Sequence, residues 1–307
     1  MLDAKTIDAI AEEIIAKMRA EGAAPAPEKP SRPQGDAAVP AQPPRPAPQG
    51  GANRGEMEDI TSAAHKAMPT LQNPADYDAL LRMKGRTSAR IGVGRCGPRV
   101  LTQTMLTLRA DHALARDAVF TDVDPAFLEQ NGLFSVQTNC PDKNTHITRP
   151  DLGRQLSDEA VKTIGEKCQK NPDVQIIVSD GLSSKAIEAN VANALPAIVE
   201  GLQSRGLTVG TPFFIRFGRV AAEDAVAELL GPKVVCILIG ERPGLGTAES
   251  MSAYICYGAK VGQPEARRTV VSNIHRGGIS SVEAGAYIAE LIKKIYDAKA
   301  SGVELKQ

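Results

Sequence analysis

The chain contains no tryptophan, and aromatic residues make up only 4% of its 307 positions. Stacking platforms for bases or sugars are therefore poorly supplied. It also lacks an excess of charge of either sign, with 36 Lys and Arg against 36 Asp and Glu. A general nucleic-acid binder needs a basic surplus to neutralise phosphates, so nucleic acid is excluded as a partner. Zero net charge removes a source of colloidal repulsion and suits a protein that lives in an assembly. Long hydrophobic runs are missing too: the longest, Val234 to Ile239, is far too short to span a bilayer. The five cysteines (Cys96, Cys140, Cys168, Cys236 and Cys256) are odd in number, widely spread and form no CxxC. That pattern reads as reduced thiols in a cytosolic protein, not as a disulfide framework or a zinc site. Acidic residues interrupt the apolar ones at the N-terminus, so no signal peptide is expected.

Proline is plentiful but unevenly placed, with nine of the 21 lying between Pro25 and Pro48 among Ala, Gln, Gly and Arg. Little there could be buried, so residues 23–56 read as a solvated, disordered Pro/Ala-rich linker, which at about 3.1 Å per residue could reach some tens of ångströms. Ahead of it, Ile7, Ile10, Ile14 and Met18 recur at helical spacing, with Ala11 and Ile15 widening the stripe. An amphipathic helix over residues 1–22 on so long a tether must dock its stripe elsewhere, in the helix-in-groove manner.

From about residue 57 the composition becomes globular. Residues 57–130 read as a helical N-terminal region: a helical stretch over 57–83 interrupted by Pro69 and Pro74, then a helix Thr102–Phe120 with Met105, Leu108, His112 and Ala113 near one face. Residues 131–307 read as an α/β domain. It opens with a helix over 151–170 that turns Leu156, Val161, Ile164 and Cys168 inward. Strands over 174–179, 208–217 and 233–240 then alternate with helices over 183–205 and 222–230. β-like runs over 252–257 and 269–272 and a helix over 281–299 complete it. This alternation predicts a mostly parallel sheet with crossover helices.

In such sheets ligands bind beyond the carboxyl ends of the strands. Those ends carry Ser179-Asp180-Gly181-Leu182-Ser183, Phe217-Gly218-Arg219-Val220, Gly240-Glu241-Arg242-Pro243-Gly244-Leu245-Gly246 and Ser272-Asn273-Ile274-His275-Arg276-Gly277-Gly278. Any one of them could be a simple turn, but four together, with Glu241 and Arg219 able to face a ligand, point to a site. The third loop lacks the GK[ST] ending of a phosphate-binding loop. A literal GxGxxG occurs at 92–97, but it follows only a short possible strand at Ser88–Ile91 and precedes Pro98, so a dinucleotide site is not expected. The surrounding Lys84, Arg86, Arg90, Arg95 and Arg99 form a basic cluster suited to an anion or to a charged subunit interface. His112 reads as a core or interface residue, His146 with Asp151 lacks a third metal ligand, and a Ser179/Asp180/His275 arrangement lacks GxSxG. Neither a metal site nor a self-contained catalytic constellation is expected.

The segments GRCGPR (94–99), LRADHALARDAV (108–119), NTHITRPDLGRQL (144–156), NPDVQIIVSDGLS (171–183), VGTPFFIRFGRV (209–220), ILIGERPGLGTAESMSAY (237–254) and SNIHRGG (272–278) resemble the small (light) subunit of ethanolamine ammonia-lyase. The resemblance implies a Rossmann-like domain that closes over part of adenosylcobalamin, held chiefly by a large catalytic subunit, in a lyase converting ethanolamine to acetaldehyde and ammonia. It implies a higher-order hetero-oligomer. It also implies that residues 1–22 address the enzyme to a shell protein, and so to the lumen of a bacterial microcompartment in the cytoplasm. Family cobalamin contacts carry over to Val220, Glu241 and Val270; related sequences have Cys at the last position, so a thiol-specific role would not survive here. The alternatives are a stand-alone α/β enzyme acting on a nucleotide-like ligand, and a non-catalytic adaptor that docks cargo on a shell.

Overall fold

The computed structural model describes residues 59–306. The amphipathic helix expected over 1–22 and the linker over 23–56 lie outside the described residues.

Two short helices come first, α1 (Ala63–Ala67) and α2 (Tyr77–Lys84), each started by a side chain that accepts a backbone N–H, Ser62 and Asp76 respectively. Pro69 and Pro74 fall between them, as the sequence predicts. The GxGxxG stretch becomes a small antiparallel hairpin, β1 (Arg95–Cys96) and β2 (Arg99–Val100), turning on Gly97 at φ 61°. Ser88–Ile91 is not a strand, so the βαβ setting of a dinucleotide site is absent there.

Helix α3 (Thr102–Phe120) has the expected bounds but buries a different face. Thr104, Thr107, Asp111, Ala115 and Ala118 point inward, while Met105, Leu106, Leu114 and Phe120 are exposed. His112 and Ala113 are exposed as well, so His112 is no core residue of this chain. The cause is electrostatic: buried Asp111 is held by Lys66 at 2.6 Å and by Arg90 at 2.5 Å, and these pairs turn the polar side of the helix inward.

Next come α4 (Pro125–Gln130), β3 (Phe134–Gln137) and α5 (Lys143–Thr148). Strand β3 has no counterpart in the sequence reading, being short, at the sheet edge and only partly buried. The helix expected over 151–170 is shorter, α6 (Asp158–Lys167), preceded by a 3₁₀ turn at Leu152–Arg154. Ser157 starts it: its hydroxyl accepts the Ala160 N–H and donates to the Gln137 carbonyl. Ile164 is inward as expected and Leu156 and Cys168 are buried from flanking positions, but Val161 is exposed.

The α/β series follows: β4 (Val174–Ser179), α7 (Ser184–Gln203), β5 (Phe213–Arg216), α8 (Ala222–Leu230), β6 (Val234–Gly240), β7 (Met251–Tyr257), β8 (Thr269–Ile274) and α9 (Ser281–Ala298). β5 is shorter than predicted because Pro212 offers no N–H to the ladder. Six strands form one sheet in the order β3-β5-β4-β6-β7-β8, parallel from β3 to β6 and antiparallel through β7 and β8. Every residue of β4 and β6 is buried, which explains the apolar runs Ile176–Val178 and Val234–Ile239; Gln175 and Ser179, the polar residues of β4, donate to backbone carbonyls. Helices α7 and α9 cover one face of the sheet and α6 and α8 the other, with each fully buried Val, Ile or Leu contributing about 1.5–3 kcal/mol.

Candidate functional site

The connections decide where a crevice opens. From β4 the chain crosses by α7 to β5 on one side, then returns by α8 to β6 on the other side of β4. The two crossover helices lie on opposite faces, so the direction of winding reverses between β4 and β6. Glycines let these two strand ends close on each other. A Cβ at Gly240 would lie 2.2 Å from the Ser183 carbonyl oxygen, and one at Gly181, at φ 50°, would lie 2.4 Å from the Gly240 oxygen.

At the end of β5, Phe217 takes a left-handed conformation, φ 59°, rare for a bulky residue. Buried Asp180 holds it there by accepting the Phe217 N–H at 2.7 Å, and it also pairs with Lys143 of α5 at 3.1 Å. His146, fully buried on the same helix, stacks on Phe217 with ring centroids 5.7 Å apart. Its Nε2 lies 2.7 Å from the Gly181 carbonyl; a carbonyl only accepts, so Nε2 carries the proton and Nδ1 is bare, and Nδ1 has no partner. Burial pushes the His146 imidazolium below the usual histidine range, with the Arg219 charge acting the same way and Asp180 opposing. Arg219 donates to the His146 carbonyl at 2.6 Å and its backbone N–H to Gly153, while its Nε is buried and unpaired.

Beyond β6 a cleft of about 470 Å³ is lined by Glu241, Arg242, Thr247, Ser250, Ser252 and Asn273, among others. The N-terminal part of α7 braces its wall: Ser183 donates to the Ala248 carbonyl and Asn190 to that of Glu249. Glu241 accepts the Tyr254 hydroxyl at 2.9 Å, and burial followed by the Glu241 charge pushes that phenol up to about 12. Tyr254 is the register partner of Val270 on β8, so their side chains share a face of the sheet. Glu241 and Val270 thus meet through a tyrosine that sequence reasoning passed over; only its place two residues after the start of an expected β-like run signalled it. Val270 is 46% exposed, an apolar surface on the edge strand. Val220 is half-buried at the end of the β5 loop, packed against the core on the α8 face.

The remaining sequence candidates are spent internally. Ser179 donates to the Ile215 carbonyl and Asp180 holds Phe217, whereas His275 lies beyond β8, three strands from β4, with its Nδ1 accepting the Gly277 N–H. The basic cluster converges only in part: Lys84 and Arg90 line one cavity of about 340 Å³ with Lys66, but Arg90 is spent on Asp111 and the Leu245 carbonyl, Lys84 donates to the Ile91 carbonyl, and Arg95 reaches Pro98 outside it. Among the described residues no group of three or more His, Cys, Asp or Glu could hold a metal ion, and no helix is long and apolar enough to cross a membrane.

The donor set suits a large ligand bearing many amides. Glu241 can accept from amide N–H groups, the hydroxyls of Thr247, Ser250 and Ser252 can serve either role, and buried Ser252 Oγ has no protein partner. Together the fold and the cleft define a doubly wound α/β protein with an open polar cleft where β6, β7 and β8 end, beside the switch point. The sequence profile of the ethanolamine ammonia-lyase light chain matches residues 77–306, and the chain belongs to that family. Relatives named ethanolamine ammonia-lyase small subunit include those of Clostridium perfringens (58% identical over 250 residues; 81% of this chain and 85% of the relative) and Fusobacterium nucleatum (56% over 252 residues; 82% and 85%). That of Listeria monocytogenes is 50% identical over 252 residues, covering 82% of this chain and 86% of the relative.

Proposed function

We propose that this chain is the small subunit of an adenosylcobalamin-dependent ethanolamine ammonia-lyase, and that its cleft beyond β6 closes over the periphery of the cofactor against a large catalytic subunit. The observation that carries this reading is the convergence of Glu241, Tyr254 and Val270 beside a polar cleft that retains an unpartnered buried hydroxyl. Family membership and the shared name of the relatives support it.

When bound, the cofactor supplies a carbon-centred radical by homolysis of its cobalt–carbon bond. This chain's residues hold and shield. Glu241 accepts from peripheral amide or hydroxyl donors, a charge-assisted contact, and the Tyr254 hydroxyl fixes its carboxylate. Val220 and Val270 offer apolar surface that excludes water. Residues 57–130 form a helical region ahead of the cofactor-contacting domain at 131–307. Residues 1–22, tethered by 23–56, dock on a microcompartment shell.

The test is reconstitution. The full chain alone should show no ammonia-lyase activity and should gain it with a large subunit and adenosylcobalamin; activity of the single chain would overturn the division of labour. Glu241→Ala should weaken cofactor binding by the assembled complex about ten- to a hundredfold, the loss expected of a hydrogen bond to a charged group. Unchanged affinity would remove Glu241 from the site. A reporter fused to residues 1–22 should enter microcompartments, and diffuse fluorescence would refute the targeting role.

A further inference from the structure

Beneath the sheet, on the face covered by α8, one arginine joins two segments that the cleft alone does not explain. Glu223 and Asp224 lie in the first turn of α8, a few residues after Val220. Arg268 stands two residues before Val270, at the start of β8. Its Nε meets Glu223 Oε1 at 2.7 Å and its Nη2 meets Asp224 Oδ2 at 2.6 Å, all three side chains being almost completely buried. Nη1 pairs with Glu265, whose side chain is largely exposed, at 2.6 Å.

We propose that Arg268 is a positioning residue: through Glu223 and Asp224 it fixes the segment carrying Val220 against the strand carrying Val270, so that both present their apolar surfaces to one cofactor face. This inference rests on the proposed reading of the cleft. Stability alone explains the cluster poorly, because well-packed apolar side chains in place of a buried ion network are often neutral or stabilising. A planar guanidinium with a rigid fork of donors does what apolar packing does not, namely set the distance and angle between two segments.

The charges in the cluster do not balance. One arginine faces two buried acids and Glu265, and Glu223 Oε2 is buried with no partner. Asp224, Glu265 and Arg268 act directly on Glu223, while Cys236 of β6 and Tyr254 and Cys256 of β7 feel its charge. Burial pushes Glu223 well above the usual carboxylate range and Arg268 only partly opposes it, so the orphan oxygen is the place for a proton. As pH rises that proton leaves, an uncompensated negative charge appears beside Asp224, and the joint between the two segments loosens. Cofactor affinity therefore falls on the alkaline side.

The experiment is equilibrium binding of adenosylcobalamin to the complex of this chain with a large subunit, followed by the cofactor's visible absorption from mildly acid to mildly alkaline pH. Unfolding temperatures are recorded alongside. Affinity of the unsubstituted complex should fall with pH by about tenfold, which corresponds to about 1.4 kcal/mol. Glu223→Gln, neutral and of the same shape, should keep the acid-side affinity and unfolding temperature and flatten the binding profile. Asp224→Asn, which removes a charge that Arg268 needs, should weaken binding at every pH. A Glu223→Gln profile that follows the unsubstituted complex, or unaltered binding by Asp224→Asn, would overturn the inference. A complex with no cobalamin affinity at all would overturn the reading of the cleft itself, and this inference with it.

Discussion

The two ends of the parallel strands treat their polar groups differently. At the amino end, Asp173 accepts hydrogen bonds from the Thr208 backbone, the Thr208 hydroxyl, Lys233 and Tyr296, all within 2.9 Å. Two buried atoms there lack a partner, but each belongs to a group that is otherwise engaged: Gln175 Oε1, whose amide donates twice through its nitrogen, and Arg267 Nε, whose guanidinium pairs with Glu304. At the carboxyl end, His146 Nδ1, Arg219 Nε and Ser252 Oγ are all buried without partners, and Phe217 is held in a left-handed conformation. Each unmet polar atom costs about 1–3 kcal/mol, and the backbone strain about as much again. The amino end is finished as a piece of protein. The carboxyl end keeps bonding capacity in reserve, as a surface does when something else completes it.

The first way to break that comparison is to remove the arginine under the sheet. Arg268→Met should destabilise the full chain by about 3–5 kcal/mol in denaturant unfolding, because Glu223 and Asp224 would stay buried without their partner. Asp173→Asn should cost less, about 1–2 kcal/mol, since its side chain is partly exposed and its neighbours can turn to water. An Asp173 effect equal to or larger than that of Arg268 would erase the contrast.

The pH dependence has opposite signs at the two places. Burial raises the Asp173 carboxyl, but hydrogen bonds from Thr208, Lys233 and Tyr296 outweigh it and hold the group well below the usual carboxylate range. Its contribution is therefore present above the ordinary aspartate range and is lost as pH falls towards the depressed value. Glu223 is raised, so its contribution is present in acid and is lost as pH climbs through the elevated value. Asp173→Asn should flatten the acid limb of a stability-against-pH curve, and Glu223→Gln the alkaline limb. A swap of those effects would show the two clusters to be wrongly assigned.

Much of the fold was legible because its signals are local. A continuous apolar run marks β6, the apolar triplet Ile176–Val178 marks β4, and helix α8 keeps the bounds that its pattern predicts. The errors fall where a distant charge decides. Nothing near Asp111 in sequence announces that Lys66 and Arg90 will draw it inward and leave Met105, Leu106 and Leu114 outside. The site was legible for a similar reason and incomplete for a similar reason. Turn residues at strand ends pointed to Glu241 and Arg219, because a parallel sheet collects its loops at one end. Tyr254 and Arg268 were missed, and His146 was weighed only as a metal ligand, because each matters through a partner that only the fold supplies, respectively Glu241, the first turn of α8 and Phe217.

The smallest expected effect is at Val270, and it sharpens what the carboxyl end asks of its residues. The side chain is half exposed, sits opposite Tyr254 on an edge strand, and contributes surface and no polar group. Val270→Cys introduces a thiol at the loss of about one methyl group, so unfolding free energy should move by no more than about 0.5 kcal/mol. If the contact is one of shape, adenosylcobalamin affinity of the assembled complex should change by less than about threefold, the ratio that follows from the same free energy. A gain of about tenfold or more would mean that a thiol makes a polar contact at this position that valine does not. The strand geometry favours the first outcome, because Tyr254 places its hydroxyl on Glu241 and leaves Val270 beside a ring that needs only an apolar neighbour.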